Sequence, residues 1–153
     1  MDIEANLKSL GLVLPPPPKA VALYLPSIRT GNLIFTSGQL PMESGALTVK
    51  GKLGGTVTLE TAKAQARIAC LNAISTLLLQ IPSLDQVERI LKLGVYVASL
   101  PDFTEQHLVA NGASELLNEI FKEKGPHARF AIGVSSLPLD ACVELELTVE
   151  VKG

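Results

Sequence analysis

The residues best suited to chemistry lie in two alternating segments near the end of the chain. Residues 129–135 and 142–151 both alternate between apolar residues and polar or small ones. This two-residue period is that of β-strands with one buried face. If the two strands pair as a hairpin over one core, Arg129 must share the polar face with the glutamates of the last strand. Glu144 then lies directly across from Arg129, or Glu146 does after a two-residue shift.

Small residues accompany the arginine on this predicted polar face. The apolar residues of its strand are assigned to the core: Phe130, Ile132 and Val134. The residues that remain beside Arg129 are Ala131, Gly133 and Ser135. They leave a hollow next to a guanidinium that can hold a carboxylate through two parallel hydrogen bonds. The alternative is a solvated sheet face whose cross-strand charge pairs each contribute under about 1 kcal/mol.

Other catalytic motifs are missing from the sequence. It has no Gly-rich phosphate loop, no Gly-x-Ser-x-Gly segment and no His or Cys spacing typical of a metal site. His107 falls on a predicted helix and His127 just before a predicted strand, so each is expected to be a surface or capping residue. Cys70 and Cys142 stand alone, and we expect two reduced, packed thiols without a chemical role.

Two helices are predicted to support the strands. Thr58 is a good N-cap, and the alanine-rich stripe after it predicts the first long helix. Asp102 and Glu105 resemble a capping box, from which a second helix is predicted to run to Gly125. The Asn111-Gly112 pair in its middle is costly in a helix, so a bend or break is expected there.

The strands complete an α+β pattern. Besides the last two, strands are predicted at residues 20–25, 32–37 and 91–97, with a weaker one at 47–50 and a turn at 27–31. The predicted order is β-β-(β)-α-β-α-β-β. Because strands arrive in pairs between the helices, we predict a two-layer sandwich in which two helices cover one face of a mixed sheet. The other face is left uncovered.

Residues 1–18 are predicted to form an N-terminal segment of this domain. A short amphipathic helix is marked by one apolar stripe: Ile3, Leu7, Leu10 and Leu14. The helix must stop before the four prolines at 15–18. We expect the proline run to be a stiff extended spacer, although such runs also dock on aromatic grooves of partner domains.

Length and composition favour one domain, residues 1–153, that forms oligomers. Of the 153 residues, 47% are hydrophobic and 18% charged, against roughly a quarter charged in an average soluble domain. Subunits are therefore expected to cover one another. The net charge of -2 gives no general attraction to nucleic acid phosphates. No segment is long enough for a membrane span, and the acidic start does not resemble a secretory signal, so a cytoplasmic protein is expected.

Several segments, in the same order, resemble the Rid family, the reactive intermediate deaminases also called the YjgF or L-PSP endoribonuclease family. They are Tyr24, residues 30–39, residues 126–129 with 137–138, and residues 143–146. The resemblance implies a chorismate-mutase-like fold. It also implies a homotrimer with three active sites in clefts between subunits.

The chemistry implied by the resemblance is hydrolysis of enamines and imines of 2-oxo acids to the 2-oxo acid and ammonia, as in 2-iminobutanoate/2-iminopropanoate deaminases. No cofactor and no metal are implied. Arg129 would bind the substrate carboxylate, and Glu144 would orient or activate water. Tyr24 would line the cleft, and the backbone N–H of Gly38 would contact the ligand.

The sequence departs from the family pattern near these residues. Ala131 stands where a cysteine is common, and the segment 103–121 is longer than usual. The usual asparagine of that segment has two candidate replacements, Ser114 and Asn111. Two other functions stay open: an endoribonuclease that inhibits translation, and a non-catalytic module that binds small carboxylates and regulates a partner.

Overall fold

A computed structural model describes residues 2–19 and 23–153 of the chain. Its helices and strands are, in chain order, α1 (Ile3–Ser9), β1 (Ser27–Thr30), β2 (Leu33–Thr36), β3 (Met42–Glu43), β4 (Ala46–Leu47), α2 (Leu59–Leu77), β5 (Val87–Ala98), α3 (Gln106–Phe121), β6 (Ala128–Val134) and β7 (Val143–Val151). Short 3-10 turns occupy Leu84–Gln86, Lys122–Lys124 and Pro138–Asp140.

Five strands form one mixed sheet in the order β1-β2-β7-β5-β6. The pair β5 and β6 is parallel, and the other neighbours are antiparallel. Helices α2 and α3 pack on one face, where the alternate residues of β7 are buried: Val143, Leu145, Leu147, Val149 and Val151. The predicted α+β two-layer sandwich is confirmed.

The two long helices form where the sequence places them, with differences at the second. Helix α2 begins after Thr58, whose hydroxyl accepts from the N–H of Thr61 at 3.2 Å. Helix α3 begins only at Gln106, so the predicted capping box at Asp102 is wrong. The helix also continues through Gly112 without a break. A Cβ at Gly112 would collide with the carbonyl oxygen of Lys63 on α2, so this glycine allows close helix packing.

The hairpin predicted for β6 and β7 is wrong. Strand β5 lies between them, pairing in parallel with β6 and antiparallel with β7. Arg129 therefore lies opposite Leu93, a core residue, and points toward the helical layer. Phe130 lies in register with Gly94 and Glu146, and Ile132 with Tyr96 and Glu144, on the uncovered face. The two sides of β6 are thus the reverse of those predicted.

The N-terminal segment is anchored to the end of α3. In α1 the side chains of Ile3 and Leu7 are buried, as the predicted stripe requires, whereas Leu10 is exposed. Asn6 Nδ2 donates to the carbonyls of Glu119 and Ile120 at 2.8 and 2.7 Å. Residues 12–19, including the prolines, have no regular secondary structure.

The early strands differ from the prediction. Residues 20–22 of the predicted first strand lie outside the described residues, and 23–25 form a turn and bend. The predicted turn at 27–31 is instead β1, and the reversal comes at Gly31, which has a φ of 57°. The weak strand expected at 47–50 is reduced to the short hairpin of β3 and β4.

Both cysteines are free and buried, as predicted. Burial raises the pKa of Cys70 to about 12 and that of Cys142 to about 11, so neither thiol forms a nucleophilic thiolate near neutral pH. None of the helices formed by residues 2–19 and 23–153 has the length and apolar character that a membrane crossing requires.

Candidate active site

The guanidinium of Arg129 is held against α3 by hydrogen bonds on one side. Its Nη1 donates to Asn111 Oδ1 at 2.9 Å and to Ser114 Oγ at 3.1 Å. Its Nη2 reaches the carbonyl oxygen of His107 at 3.4 Å. Within residues 2–19 and 23–153, Nε and the second Nη2 hydrogen have no acceptor. Nε and one Nη2 hydrogen therefore remain available to a ligand such as a carboxylate.

A chain of hydrogen bonds continues from Arg129 to the backbone. Ser114 Oγ lies 2.9 Å from Nε2 of His127, and His127 Nδ1 lies 2.6 Å from the carbonyl oxygen of Gly125. Because a carbonyl oxygen only accepts, Nδ1 carries a proton, and in that tautomer Nε2 accepts the hydroxyl hydrogen of Ser114. The Ser114 oxygen is then left to accept from Arg129. His127 and Ser114 thus fix the guanidinium in one orientation.

Sequence reasoning found part of this support. It named Ser114 and Asn111 as alternatives for one family asparagine, and in the structure both contact Arg129. It assigned His127 a surface or capping role, whereas the ring is half-buried and bonded on both nitrogens. His127 is two residues from Arg129, but nothing in the local pattern indicates that Ser114 joins them. His107 is exposed, as expected, and contributes only its carbonyl oxygen.

Glu144 lies at the start of β7 on the uncovered sheet face. Its carboxylate is packed against Gly38, and a Cβ at that glycine would collide with Glu144 Oε1. Burial raises the pKa of Glu144, and the nearby Glu146 carboxylate raises it further. The Tyr96 hydroxyl donates to Glu146 Oε1 at 3.2 Å. Glu144 is therefore a half-buried carboxylate whose basicity is increased by its surroundings.

The loop after β2 places Gly38 beside both Glu144 and a small cleft. Gln39 exchanges backbone hydrogen bonds with Leu145, at 2.8 and 3.1 Å, which ties the loop to β7. On the other side, Asn72 Nδ2 donates to the carbonyls of Leu40 and Met42 at 2.9 and 3.0 Å. Asn72 therefore holds this loop on α2, a role that sequence reasoning did not assign.

A cleft of about 190 Å³ opens beside this loop. Gly38 and the exposed ring of Tyr24 both line it, together with Lys19 and Leu139. Tyr24, Gly38 and Glu144 thus lie at the same end of the sheet, with Gly38 between the cleft and the carboxylate.

Arg129 does not share this location within one chain. Strand β5 separates β6 from β7, so the two residues are two strand spacings apart, about 9.6 Å. Arg129 is level with Leu147, which puts it three residues from Glu144 along the sheet, about 10 Å. The side chains also project from opposite faces. Within one copy of the chain, Arg129 and Glu144 therefore lie in two separate places.

Across residues 2–19 and 23–153, no three His, Cys, Asp or Glu side chains lie close enough to hold an ion together.

Comparison with known proteins agrees with this architecture. A family model described as "YjgF/chorismate_mutase-like, putative endoribonuclease" matches residues 4–151. The chain belongs to the YjgF family. Protein TCP17 of Trypanosoma cruzi is 40% identical over 149 residues, which cover 97% of this chain and 93% of that relative.

Two solved structures of this fold are similar over almost the whole chain. Atu1372 of Agrobacterium tumefaciens, described as a protein of unknown function, has a TM-score of 0.91 and 42% identity, covering 98% of this chain and 92% of its own. A protein of Shewanella oneidensis MR-1, described as a "putative endoribonuclease", has a TM-score of 0.93 and 32% identity, covering 99% and 100%. The predicted family and its chorismate-mutase-like fold are confirmed.

Proposed function

We propose that this YjgF-family chain hydrolyses imines and enamines of 2-oxo acids to the 2-oxo acid and ammonia. The observation that carries the proposal is the guanidinium of Arg129, which is held by Asn111, Ser114 and the His107 carbonyl and keeps Nε and one Nη2 hydrogen for a ligand. A planar donor pair held in this way is suited to a small carboxylate. Every 2-imino acid carries such a carboxylate next to its reactive carbon.

The active site is formed between copies of the chain. Arg129 and Glu144 project from opposite faces and from strands separated by β5, so one copy cannot apply both to one small substrate. The uncovered sheet face exposes large apolar side chains: Ile28, Phe35 and Ile132. A closed ring of copies would cover this face and bring Arg129 of one copy to Glu144 of the next. A homotrimer with three such sites is the proposed assembly.

In the proposed reaction, Arg129 binds the substrate carboxylate and fixes the imine carbon near Glu144. Water adds to that carbon and gives up a proton to the Glu144 carboxylate, which forms a carbinolamine. Glu144 then returns the proton to the nitrogen. Glu144 next takes the hydroxyl proton and passes it to the same nitrogen, so that the C–N bond breaks, ammonia leaves and the C=O bond of the 2-oxo acid forms. The imine carbon is itself electrophilic, so the chain's own residues suffice for each step.

Glu144 is suited to this proton transfer because burial and Glu146 raise its pKa. A carboxylate of higher pKa is a stronger base toward water. Tyr24 is proposed to line the substrate cleft, and the backbone N–H of Gly38 to contact the ligand. Both assignments agree with the cleft that these two residues share.

Ammonia release from freshly generated 2-iminopropanoate tests the reaction. Arg129→Lys keeps the charge but removes the planar guanidinium and its paired N–H donors. Turnover and affinity for 2-oxobutanoate should therefore fall together by about 2 kcal/mol, or about thirtyfold. Glu144→Gln should lower turnover while affinity for 2-oxobutanoate holds or rises, since a nearby anion is removed. Calorimetry gives the affinities on the same preparations.

Two results would contradict the assigned roles. Full turnover in Glu144→Gln would show that the carboxylate does not act as the base. Unchanged turnover and affinity in Arg129→Lys would return Arg129 to an ordinary surface role. Carboxylate binding without turnover in the unaltered protein would favour a non-catalytic binding module.

The description of the family model and of the Shewanella structure makes RNA cleavage the second candidate. The net charge of -2 gives this chain no general attraction to phosphates. We expect purified protein not to cleave RNA above the level of contamination. Cleavage that persists through several columns and disappears in Arg129→Ala would reverse the ranking of the two reactions.

A further inference from the structure

A second cleft, of about 320 Å³, opens at the far end of β6 from Arg129. Its floor is Gly133, and its walls include Ser99 after β5, Gln106 at the start of α3, and Ser135 after β6. A Cβ at Gly133 would lie 2.6 Å from Ser99 Oγ and 2.8 Å from Gln106 Nε2. Glycine at this position therefore keeps two polar side chains accessible at the bottom of the cleft.

The polar groups of this cleft have unused hydrogen-bonding capacity. Ser99 is 8% exposed, and its hydroxyl, which opens into the cleft, has no partner in the part of the chain that the structure describes. Gln106 Nε2 donates one hydrogen to the carbonyl of Phe103 at 2.7 Å. Its other N–H and its Oε1 have no partner among residues 2–19 and 23–153. A ligand in the cleft can therefore hydrogen-bond to the Ser99 hydroxyl and to the Gln106 amide.

The cleft lies beside the proposed carboxylate site. Arg129, Ala131 and Gly133 alternate on the same side of β6, so the methyl group of Ala131 is the one side chain between the arginine and the cleft floor. On α3, Gln106 directly precedes His107, whose carbonyl receives the Nη2 bond of Arg129. Along α3, Gln106 lies five residues before Asn111, which accepts from Arg129 Nη1, so about 7.5 Å separates the cleft wall from this contact of the guanidinium. A linear chain of a few carbons spans that distance.

We propose that this cleft is the side-chain subsite of the enzyme, and that its substrates are 2-imino acids whose side chain ends in a carboxamide. The inference rests on the proposed function, because it takes Arg129 as the carboxylate anchor. The free groups of Ser99, Gln106 and Ser135 both donate and accept hydrogen bonds, as a carboxamide does. Among residues 2–19 and 23–153, no charged side chain lines the cleft, so a terminal carboxylate would lack a cation there. A methyl or ethyl side chain would leave the polar groups unpaired.

Binding of three stable carboxylates tests the subsite without requiring turnover. Glutaramate carries a terminal amide, pentanoate a methyl group and glutarate a second carboxylate on chains of similar length. Calorimetry on the full chain should give about tenfold tighter binding for glutaramate than for pentanoate, the effect of one satisfied hydrogen bond. Glutarate should bind less tightly than glutaramate. Equal binding of glutaramate and pentanoate, or tighter binding of glutarate, would overturn the proposal.

Single substitutions test whether the preference for glutaramate over pentanoate arises from the residues of this cleft. Ser99→Ala should reduce the preference for glutaramate over pentanoate about five- to tenfold, and Gly133→Ala should do the same by closing the floor. Gln106→Met keeps the length of the side chain but removes its hydrogen bonds. Ser9→Ala is the matched control, since its hydroxyl bonds only within α1. An unchanged preference in both Ser99→Ala and Gly133→Ala would place amide recognition elsewhere and refute this subsite.

A kinetic experiment distinguishes a failure of this subsite proposal from a failure of the proposed function. Imines are generated in place from glutamine, methionine and alanine by an amino acid oxidase, and ammonia release is compared. We expect the highest kcat/KM for the glutamine-derived imine. Hydrolysis without any preference for the amide chain would leave the function standing and refute the subsite. Amide-selective binding without hydrolysis of any imine would refute the function and leave the subsite standing.

Discussion

Gly38 lies so close to the carboxylate of Glu144 that no side chain fits between them. The loop that carries Gly38 is fixed to β7 through Gln39 and to α2 through Asn72, so it cannot easily move away. The position of the proposed base therefore depends on a residue that contributes only backbone.

Gly38→Ala should lower turnover while leaving the fold almost unchanged. The new methyl group meets the flexible end of Glu144, so the carboxylate swings away at little cost in stability, within about 1 kcal/mol. A misplaced base of this kind can lower the rate by about a hundredfold. Steady-state ammonia release and urea unfolding measure the two effects.

A variant that combines Gly38→Ala with Glu144→Gln is the control for this prediction. If Gly38 acts by placing Glu144, then Gly38→Ala should add little to the loss already caused by Glu144→Gln. Fully additive losses would mean that Gly38 acts independently of the carboxylate.

Glu144→Gln should also change the pH dependence of stability. The pKa of Glu144 is raised in the folded protein by burial and by Glu146, so the folded state holds this proton more tightly than the unfolded state. The stability that follows from the bound proton is fully present at low pH and is lost as pH rises through the raised pKa. Above that pH the charged, half-buried Glu144 destabilises the fold relative to glutamine.

Urea unfolding at pH 7 and pH 3.5 measures this difference. We expect Glu144→Gln to be the more stable protein at pH 7, and the gap to close at the lower pH, where both side chains are neutral. A gap that stays constant with pH would show that the carboxyl group titrates as it does in the unfolded chain.

A pair of substitutions at His127 should separate its two hydrogen bonds. Glutamine places its amide near the position of Nε2 and can still accept from Ser114, whereas asparagine places its amide near Nδ1 and retains only the bond to Gly125. His127→Asn should therefore weaken 2-oxobutanoate binding by about 1 kcal/mol, or roughly fivefold, and raise KM more than it lowers kcat. His127→Gln should stay near the unaltered protein.

Equal losses in the two His127 variants would indicate a general structural role. A fall in kcat alone would place the ring in the chemical step, which contradicts positioning through Ser114.

The sequence predicted the parts of this fold that depend on local pattern. Thr58 caps α2, and the faultless alternation of β7 defines its buried side. The prediction of which side of β6 faces the core was wrong, because an edge strand with apolar residues on both sides gives no unique core face. Phe130 and Ile132 look like core residues but lie on the uncovered face, where Phe130 packs edge-on against Tyr96 at 5.4 Å between ring centroids.

Pairing across the sheet was the other failure. Two consecutive strands separated by a short loop suggested a hairpin, but β6 pairs with β5 across the whole length of α3. No local signal specifies such a partner. The same long-range packing joins Arg129 to Asn111 and Ser114, and Ser114 to His127, so local pattern could name the arginine as a candidate but could not give the geometry of its support.

Gly112→Ala should destabilise the protein although alanine is the better helix former. The gain in helix propensity is about 1 kcal/mol, but the new Cβ meets backbone atoms of Lys63 that cannot move without separating α2 from α3. Overpacking of this kind costs typically 1–3 kcal/mol. Urea unfolding measures the net change in stability, and Gly153→Ala, where an added Cβ meets open space, is the control. A more stable Gly112→Ala would show that the helices separate without cost.

Mixing two inactive variants tests whether Arg129 and Glu144 act together across a subunit interface. Light scattering should first give about three times the chain mass for each protein. In a cyclic trimer that contains both Arg129→Ala and Glu144→Gln copies, one interface always pairs an intact arginine with an intact glutamate. Equal, random mixing makes about three quarters of the trimers mixed. Each mixed trimer has one working site in three, so activity should return to about a quarter of the unaltered level.

Co-expression of the two variants ensures mixing, and each variant purified alone is the control. Activity no higher than that of the separate variants, in material shown by mass spectrometry to be mixed, would mean that each site draws both residues from one copy or needs only one of them.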